Sequence, residues 1–285
     1  MRTLSESSWP GHVVPWRAAV GLALLVGFSA VTCPSRVVAD THPQDTLIAV
    51  LYGDQSDPGC FDANGDGALT VADILLLPAE ALIDGCVAGL VPHAVGDQLV
   101  YHVTSPTGKV TTETTIVNSL DADGAFVVDD QQVDGQKVIR HELQSYTDTG
   151  PQLFFAGGSD LLKNLTTTCD PLLLRLMMPL VAQEVFSTTT RCNVKFTNNG
   201  TPVGFIDRID TFTPIDIVEM VTVEAGTYTQ VVHINGSTDL TGDIETDEIF
   251  LAPGVGVVLQ LSTSNGQTTR HELVDGTIGG MSVKR

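Results

Sequence analysis

Leu99-Val100-Tyr101-His102-Val103-Thr104 is an apolar-alternating run rich in β-branched and aromatic residues, a composition suited to a pleated, half-buried surface. It opens a series. Residues 110–117 alternate with threonines, 124–128 follow a turn, and 137–146 form a longer run. Further runs lie at 184–196, 215–223, 227–234, 248–251, 255–261 and 268–273, set off by Gly, Asn and Asp. That spacing predicts an antiparallel meander. The expected fold is mainly β, a curved sheet or open half-barrel over residues 95–285, preceded by a small α-helical module. The one helical candidate in the β region is Pro171-Leu172-Leu173-Leu174-Arg175-Leu176-Met177-Met178-Pro179, which reads equally as an apolar connection packed over the sheet.

The chain has 285 residues, 42% of them hydrophobic, enough to bury a core. Its 34 acidic and 14 basic side chains give a formal charge of −20. Nucleic acid demands lysine and arginine for its phosphates, so that balance excludes it as a partner and argues against an anionic membrane surface. Arg2 and Arg17 precede an apolar stretch at 18–31, too short to span a bilayer but suited to a signal peptide. Val37-Val38-Ala39 places cleavage after Ala39, so residues 1–39 are the signal and the mature chain is secreted, at the cell surface or periplasmic. Ala30-Val31-Thr32 before Cys33 matches a lipoprotein signal poorly. No second apolar run is long enough for a membrane span.

Four cysteines remain after cleavage, Cys60, Cys86, Cys169 and Cys192. An even number in an exported chain points to disulfides, and three pairings are open. Cys60–Cys86 and Cys169–Cys192 are favoured because each pair brackets one compact segment.

The strongest chemical signal is Asp62-Ala63-Asn64-Gly65-Asp66-Gly67-Ala68-Leu69-Thr70-Val71-Ala72-Asp73. As a twelve-residue loop it places side-chain oxygens of Asp62, Asn64, Asp66, Thr70 and Asp73 at positions 1, 3, 5, 9 and 12. The backbone carbonyl of Ala68 adds a further oxygen at position 7. A hard cation such as Ca2+ takes six to eight oxygens in such a loop, and Gly67 at position 6 permits the sharp reversal. With three carboxylates around a dication, the metal is expected to order the loop. Asp rather than Glu at position 12 makes the stretch resemble a dockerin half-repeat of the EF-hand kind, covering about residues 44–88 of a module at 40–90. The resemblance implies a cohesin-like or cell-surface protein as partner. Val71 and Ala72 stand where dockerins choose their cohesin, and no second loop is present.

Val223-Glu224-Ala225-Gly226-Thr227-Tyr228, Val231-Val232 and Ala252-Pro253-Gly254-Val255-Gly256-Val257-Val258 carry a second resemblance. They are similar to the secreted TapB-like β domain, over about 95–276, which implies a curved antiparallel sheet or open barrel and brings no catalytic residues.

A search for catalytic motifs is unrewarding. Arg140-His141-Glu142-Leu143 and Arg270-His271-Glu272-Leu273 echo one another, but neither has the second histidine four residues on that a zinc protease needs. On a strand, Arg and Glu share one face, and the expected role is a cross-strand charge pair on an exposed face. His102 and His233 read as satisfied strand residues. No nucleophile elbow, phosphate loop, dinucleotide fingerprint or C-x-x-C occurs. Three functions stay open. The first is a secreted calcium-binding protein with a non-catalytic β domain in a binding or structural role. The second is a half-barrel carrier of a lipid or other small apolar ligand. The third is a dockerin-tagged polysaccharide-degrading enzyme, which needs a cleft with two facing carboxylates.

Overall fold

The structure is a computed structural model that describes residues 81–83, 87–91 and 93–284. Its elements are β1 (Ala81–Ile83), α1 (Val87–Leu90), β2 (Gln98–Thr104), β3 (Val110–Leu120), β4 (Ala125–Asp134) and β5 (Lys137–Asp148). β6 (Gln152–Asp160), β7 (Leu165–Met177), β8 (Leu180–Val181), β9 (Phe186–Phe196) and β10 (Pro202–Val223) follow. The chain ends with β11 (Gly226–Leu240), β12 (Asp243–Ala252), β13 (Gly256–Ser264), β14 (Gln267–Ile278) and β15 (Met281–Ser282).

Strands alternate because their sequences do. In β3, Thr111, Glu113, Thr115 and Val117 are buried while the residues between them face out. From β2 onward each strand pairs antiparallel with the next along the chain, β7 passing over β8 to reach β9, while the short β1 and β8 pair with each other. β14 then pairs with β13 on one side and with β2 on the other, Arg270 opposite Thr104 and Leu273 opposite Tyr101. Twelve strands therefore close into a barrel. The expected open half-barrel is corrected here: the last long strand returns to the first, and closure removes both unpaired edges.

The 171–179 segment is not a helix. Leu173 and Leu176 lie opposite Phe155 and Leu153 in the β6–β7 ladder, so pairing along a neighbouring strand overrides a leucine-rich run. Gly157 accommodates a register shift between these strands; a Cβ there would sit 2.2 Å from the Thr167 carbonyl oxygen, at a φ of 148°. Of the module at 40–90, the described residues are 81–83, which form the strand β1, and 87–90, the single turn α1. The calcium loop, Cys60 and Cys86 lie outside the described residues.

The meander alternates between two ends. At one, the base, α1 is laid across the barrel: Val87 N–H donates to Gly150, Gly89 accepts from Gly254, and Val87, Leu90 and Val91 are buried. His93 stacks on Phe126 at 4.5 Å and contacts Asp148 at 2.6 Å. Inward side chains of this half form one apolar core, including Leu99, Phe126, Leu153, Tyr228 and Ile249. At the other end, the rim, six hairpin turns join the strands. Among the described residues, no helix is long and apolar enough to cross a membrane.

Candidate functional site

Towards the rim, the same inward positions change character. Glu113 on β3, Asp130 on β4 and Arg140 on β5 point into the barrel. The Arg140 guanidinium bridges both acids, reaching Glu113 at 2.7 Å and Asp130 at 2.8 Å. From β14, His271 Nδ1 comes within 3.5 Å of the same Glu113 carboxylate. Burial alone would raise Glu113, but Arg140 and His271 outweigh it and hold its pKa at about 2. Asp130 goes the other way. Burial, then the neighbouring Glu113 charge, exceed the help from Arg140 and push it up to about 8.

A second cluster sits on β7 and β10. Asp210 is fully buried between Arg175 and Arg208, and accepts from Thr238 at 3.0 Å. Burial would raise its pKa, yet the two guanidinium charges hold it below the ordinary value. Both arginines also flank the Phe155 ring, at 5.4 and 5.9 Å. On β12 and β13, Asp247 accepts from Gln260 at 2.9 Å and from Ser262. Its neighbour Glu245 is raised to about 7 by burial and then by the Asp247 charge. Together these groups make a charged belt around the inside of the wall, largely buried and held by ion pairs, with Arg175 Nε, Glu245 Oε1 and His271 Nε2 left without a hydrogen-bond partner. It has the makings of structural ion pairs rather than a substrate cleft.

One concavity lies on the outside of the wall. A groove of about 560 Å³ is lined by Asp170, Thr189, Arg191, Asp207, Ile209 and Asp239, among others. Arg191 holds Asp207 two-pronged at 2.6 and 3.0 Å and stacks on Phe205 at 4.1 Å. That bond keeps Asp207 below the ordinary carboxylate range.

The structure places the other sequence candidates as follows. Cys169 and Cys192 face each other in the β7–β9 register and form the expected disulfide, with Cα atoms 4.0 Å apart. His102 bonds Glu224 at 3.0 Å as a satisfied strand residue, whereas His233 stacks on Phe250 at 4.7 Å and leaves its buried Nε2 without a hydrogen-bond partner. The echoed Arg-His-Glu-Leu motif departs from expectation in its first copy, because Arg140 is buried rather than on an exposed face. Its second copy does place Arg270 outside, but bonded along its own strand to Glu272 at 2.9 Å rather than across strands. No metal-holding group of three His, Cys, Asp or Glu side chains occurs among the described residues. Arg175, Arg208 and Asp210 belong to no sequence motif. The available signal was an acid or arginine at the inward phase of an alternating strand, as in Arg208-Ile209-Asp210-Thr211-Phe212.

Fold and interior define a closed antiparallel barrel with an apolar base, a charged belt and a plugged end. No protein-family model matches the chain, and no curated protein matches it. Two solved structures are similar in part. One is described as a lipoprotein from Parabacteroides distasonis, at 12% identity and a TM-score of 0.44, covering 64% of this chain and 95% of that one. The other is described as an exported protein with a YmcC-like fold from Bacteroides fragilis, at 13% identity and a TM-score of 0.45, with the same coverage. Likeness of this degree carries no role across.

Proposed function

We propose that this is an exported, non-catalytic barrel that acts through its outer surface, joined to an N-terminal module that calcium orders. The observation that carries the reading is the filled interior. Among the described residues, the base half is packed with the protein's own rings and leucines beneath α1, which fill the place a carried lipid would take. The rim half holds carboxylates that no substrate reaches: Glu113 is 2% exposed and Asp130 0%, and both are engaged by Arg140. A glycosidase pair needs an open cleft around it. The Cys169–Cys192 bridge suits an oxidising compartment outside the cytosol. The outer groove beside Arg191 offers acids and hydroxyls to a small polar ligand.

The calcium part rests on loop spacing alone. Asp62, Asn64, Asp66, Thr70, Asp73 and the Ala68 carbonyl would hold Ca2+ with an affinity on the order of 10⁻⁴–10⁻³ M, ordering residues 44–88 for attachment to a cell-surface or cohesin-like protein. Native mass spectrometry and calcium calorimetry on the full mature chain test both halves. The expected spectrum carries no apolar adduct, and calcium heats appear for the wild type and vanish in Asp62→Ala. A co-purified lipid overturns the filled barrel, and an absent wild-type heat overturns the calcium loop.

A further inference from the structure

On the outer wall, one register row runs from Asp170 on β7 through Arg191 on β9 to Asp207 on β10. Arg191 gives both its prongs to Asp207, so Asp170 on its other side has no ion pair among the described residues. The neighbouring row sets Thr189 of β9 opposite Ile209 of β10, and Ile209 opposite Asp239 of β11. Asp239 accepts the Gly242 N–H at 2.7 Å and likewise has no ion pair among the described residues. These two rows line the groove together with Pro171 and the turn of Thr241 and Gly242. Its lining thus holds three carboxylates against one guanidinium. Lys195 on β9 and Asp243 after the turn add one exposed charge of each sign, which leaves the acidic excess as it is. Exposed apolar side chains adjoin the acids. Leu172 follows Pro171, Phe205 carries the Arg191 guanidinium at 4.1 Å, and Ile244 stands opposite Asp239.

We infer that this groove docks an extended basic segment of a partner protein, with two lysines or arginines four residues apart and an apolar residue midway between them. The inference rests on the reading that the barrel acts through its outer surface, and names what that surface takes. Asp170 and Asp239 stand three strand spacings apart, about 14 Å across the wall. An extended chain rises about 3.4 Å per residue and turns alternate side chains to one face. Its first and fifth residues therefore bridge that span, and the third meets Ile209 between the two acids. The two acids are also offset by two residues along the strands, which flexible lysine stems take up. The partner's cations supply the counter-charges that Asp170 and Asp239 lack, and its apolar side chain covers Ile209. A shared divalent cation does not fit, because its ligands must lie within about 2.6 Å of it and these acids are on distant strands. Nor does an oligosaccharide, which lies on an open aromatic face, whereas Phe205 beside the groove is stacked by Arg191.

The test is fluorescence anisotropy of the full mature chain with two labelled peptides of one composition. In Thr-Lys-Thr-Leu-Thr-Lys-Thr the lysines are four apart, and in Thr-Lys-Lys-Thr-Leu-Thr-Thr they are adjacent. Tighter binding of the spaced peptide is expected, falling as salt rises and weakening on the order of threefold for each of Asp170→Asn and Asp239→Asn. Ile209→Ser is expected to weaken it as well, while Glu219→Gln, at an exposed acid far along β10, leaves it unchanged. Absent binding, equal binding of the two peptides, or binding indifferent to both asparagine substitutions overturns the inference. So does an equal loss in Glu219→Gln, which would reduce the effect to the chain's general acidity. Spermine binding as tightly as the spaced peptide overturns it too, and would assign the groove to a free polyamine. None of these outcomes bears on whether the lumen is filled.

Discussion

Arg140-His141-Glu142-Leu143 and Arg270-His271-Glu272-Leu273 carry the same four side chains, yet they enter the barrel wall one residue out of phase. On β5, Arg140 and Glu142 face inward, and His141 faces out to bond Asp129 at 3.0 Å. On β14, His271 and Leu273 face inward and Arg270 faces out. Because side chains alternate with a period of two, a single-residue shift of phase exchanges the whole set between core and solvent. The outcome is complementary. The arginine of one copy and the histidine of the other approach the same carboxylate, Glu113, from two different strands. Identical words thus have different energetics, and the difference is measurable.

Removing Arg140 should give the largest effect. Arg140→Ala leaves Glu113 and Asp130 buried without their cation, and breaking such a pair costs about 3–5 kcal/mol. Urea unfolding should show that loss as a lowered midpoint. A cost under ~1 kcal/mol would mean that the belt is solvated after all and that the two copies do not differ in burial.

The pH dependence sharpens the same contrast. Asp130, raised from 3.8 to about 8, keeps its proton in the folded barrel while the unfolded chain has lost it. The folded state binds the extra proton, so stability falls as pH rises between those values. Glu113 works in the opposite sense and in another window. Its pKa is lowered from 4.5 to about 2, so its contribution is present above the upper value and fades as pH falls towards the lower. Asp130→Asn should therefore flatten the alkaline side of the stability profile and leave the acid side in place. Melting temperatures across the pH range check it. An unchanged alkaline slope would remove Asp130 as its source.

Many strands were legible because their alternation is local, whereas β6, most of β7 and the first half of β10 were not. Residues 110–117 and 227–234 declare themselves through threonine and apolar spacing, inside the longer strands Val110–Leu120 and Gly226–Leu240, and the Cys169–Cys192 bridge followed from compact bracketing. Closure was not legible, since it depends on β14 reaching β2 across the length of the domain. Nor was the belt. Arg140 looks like any exposed strand arginine until Glu113 and Asp130 are brought around it, and nothing within four residues of it names either partner. The leucine run at 172–176 misled for the same reason: a neighbouring ladder, not its own periodicity, decides its conformation.

The smallest effect belongs to the second arginine, and it tests whether the two copies converge through Glu113 at all. Arg270 is 40% exposed and its bond to Glu272 lies on the outer wall, so Arg270→Ala should cost no more than ~1 kcal/mol. In double-mutant cycles, Arg140→Ala and Arg270→Ala should be additive within about 0.5 kcal/mol, as independent sites are. Arg140→Ala and His271→Ala share a carboxylate, so their effects should deviate from additivity by about 1 kcal/mol. Equal coupling in both cycles would show that shared phase, not shared sequence, had been misassigned. A coupling confined to His271 would instead establish that the barrel reads one tetrapeptide in two ways and joins them at a single buried acid.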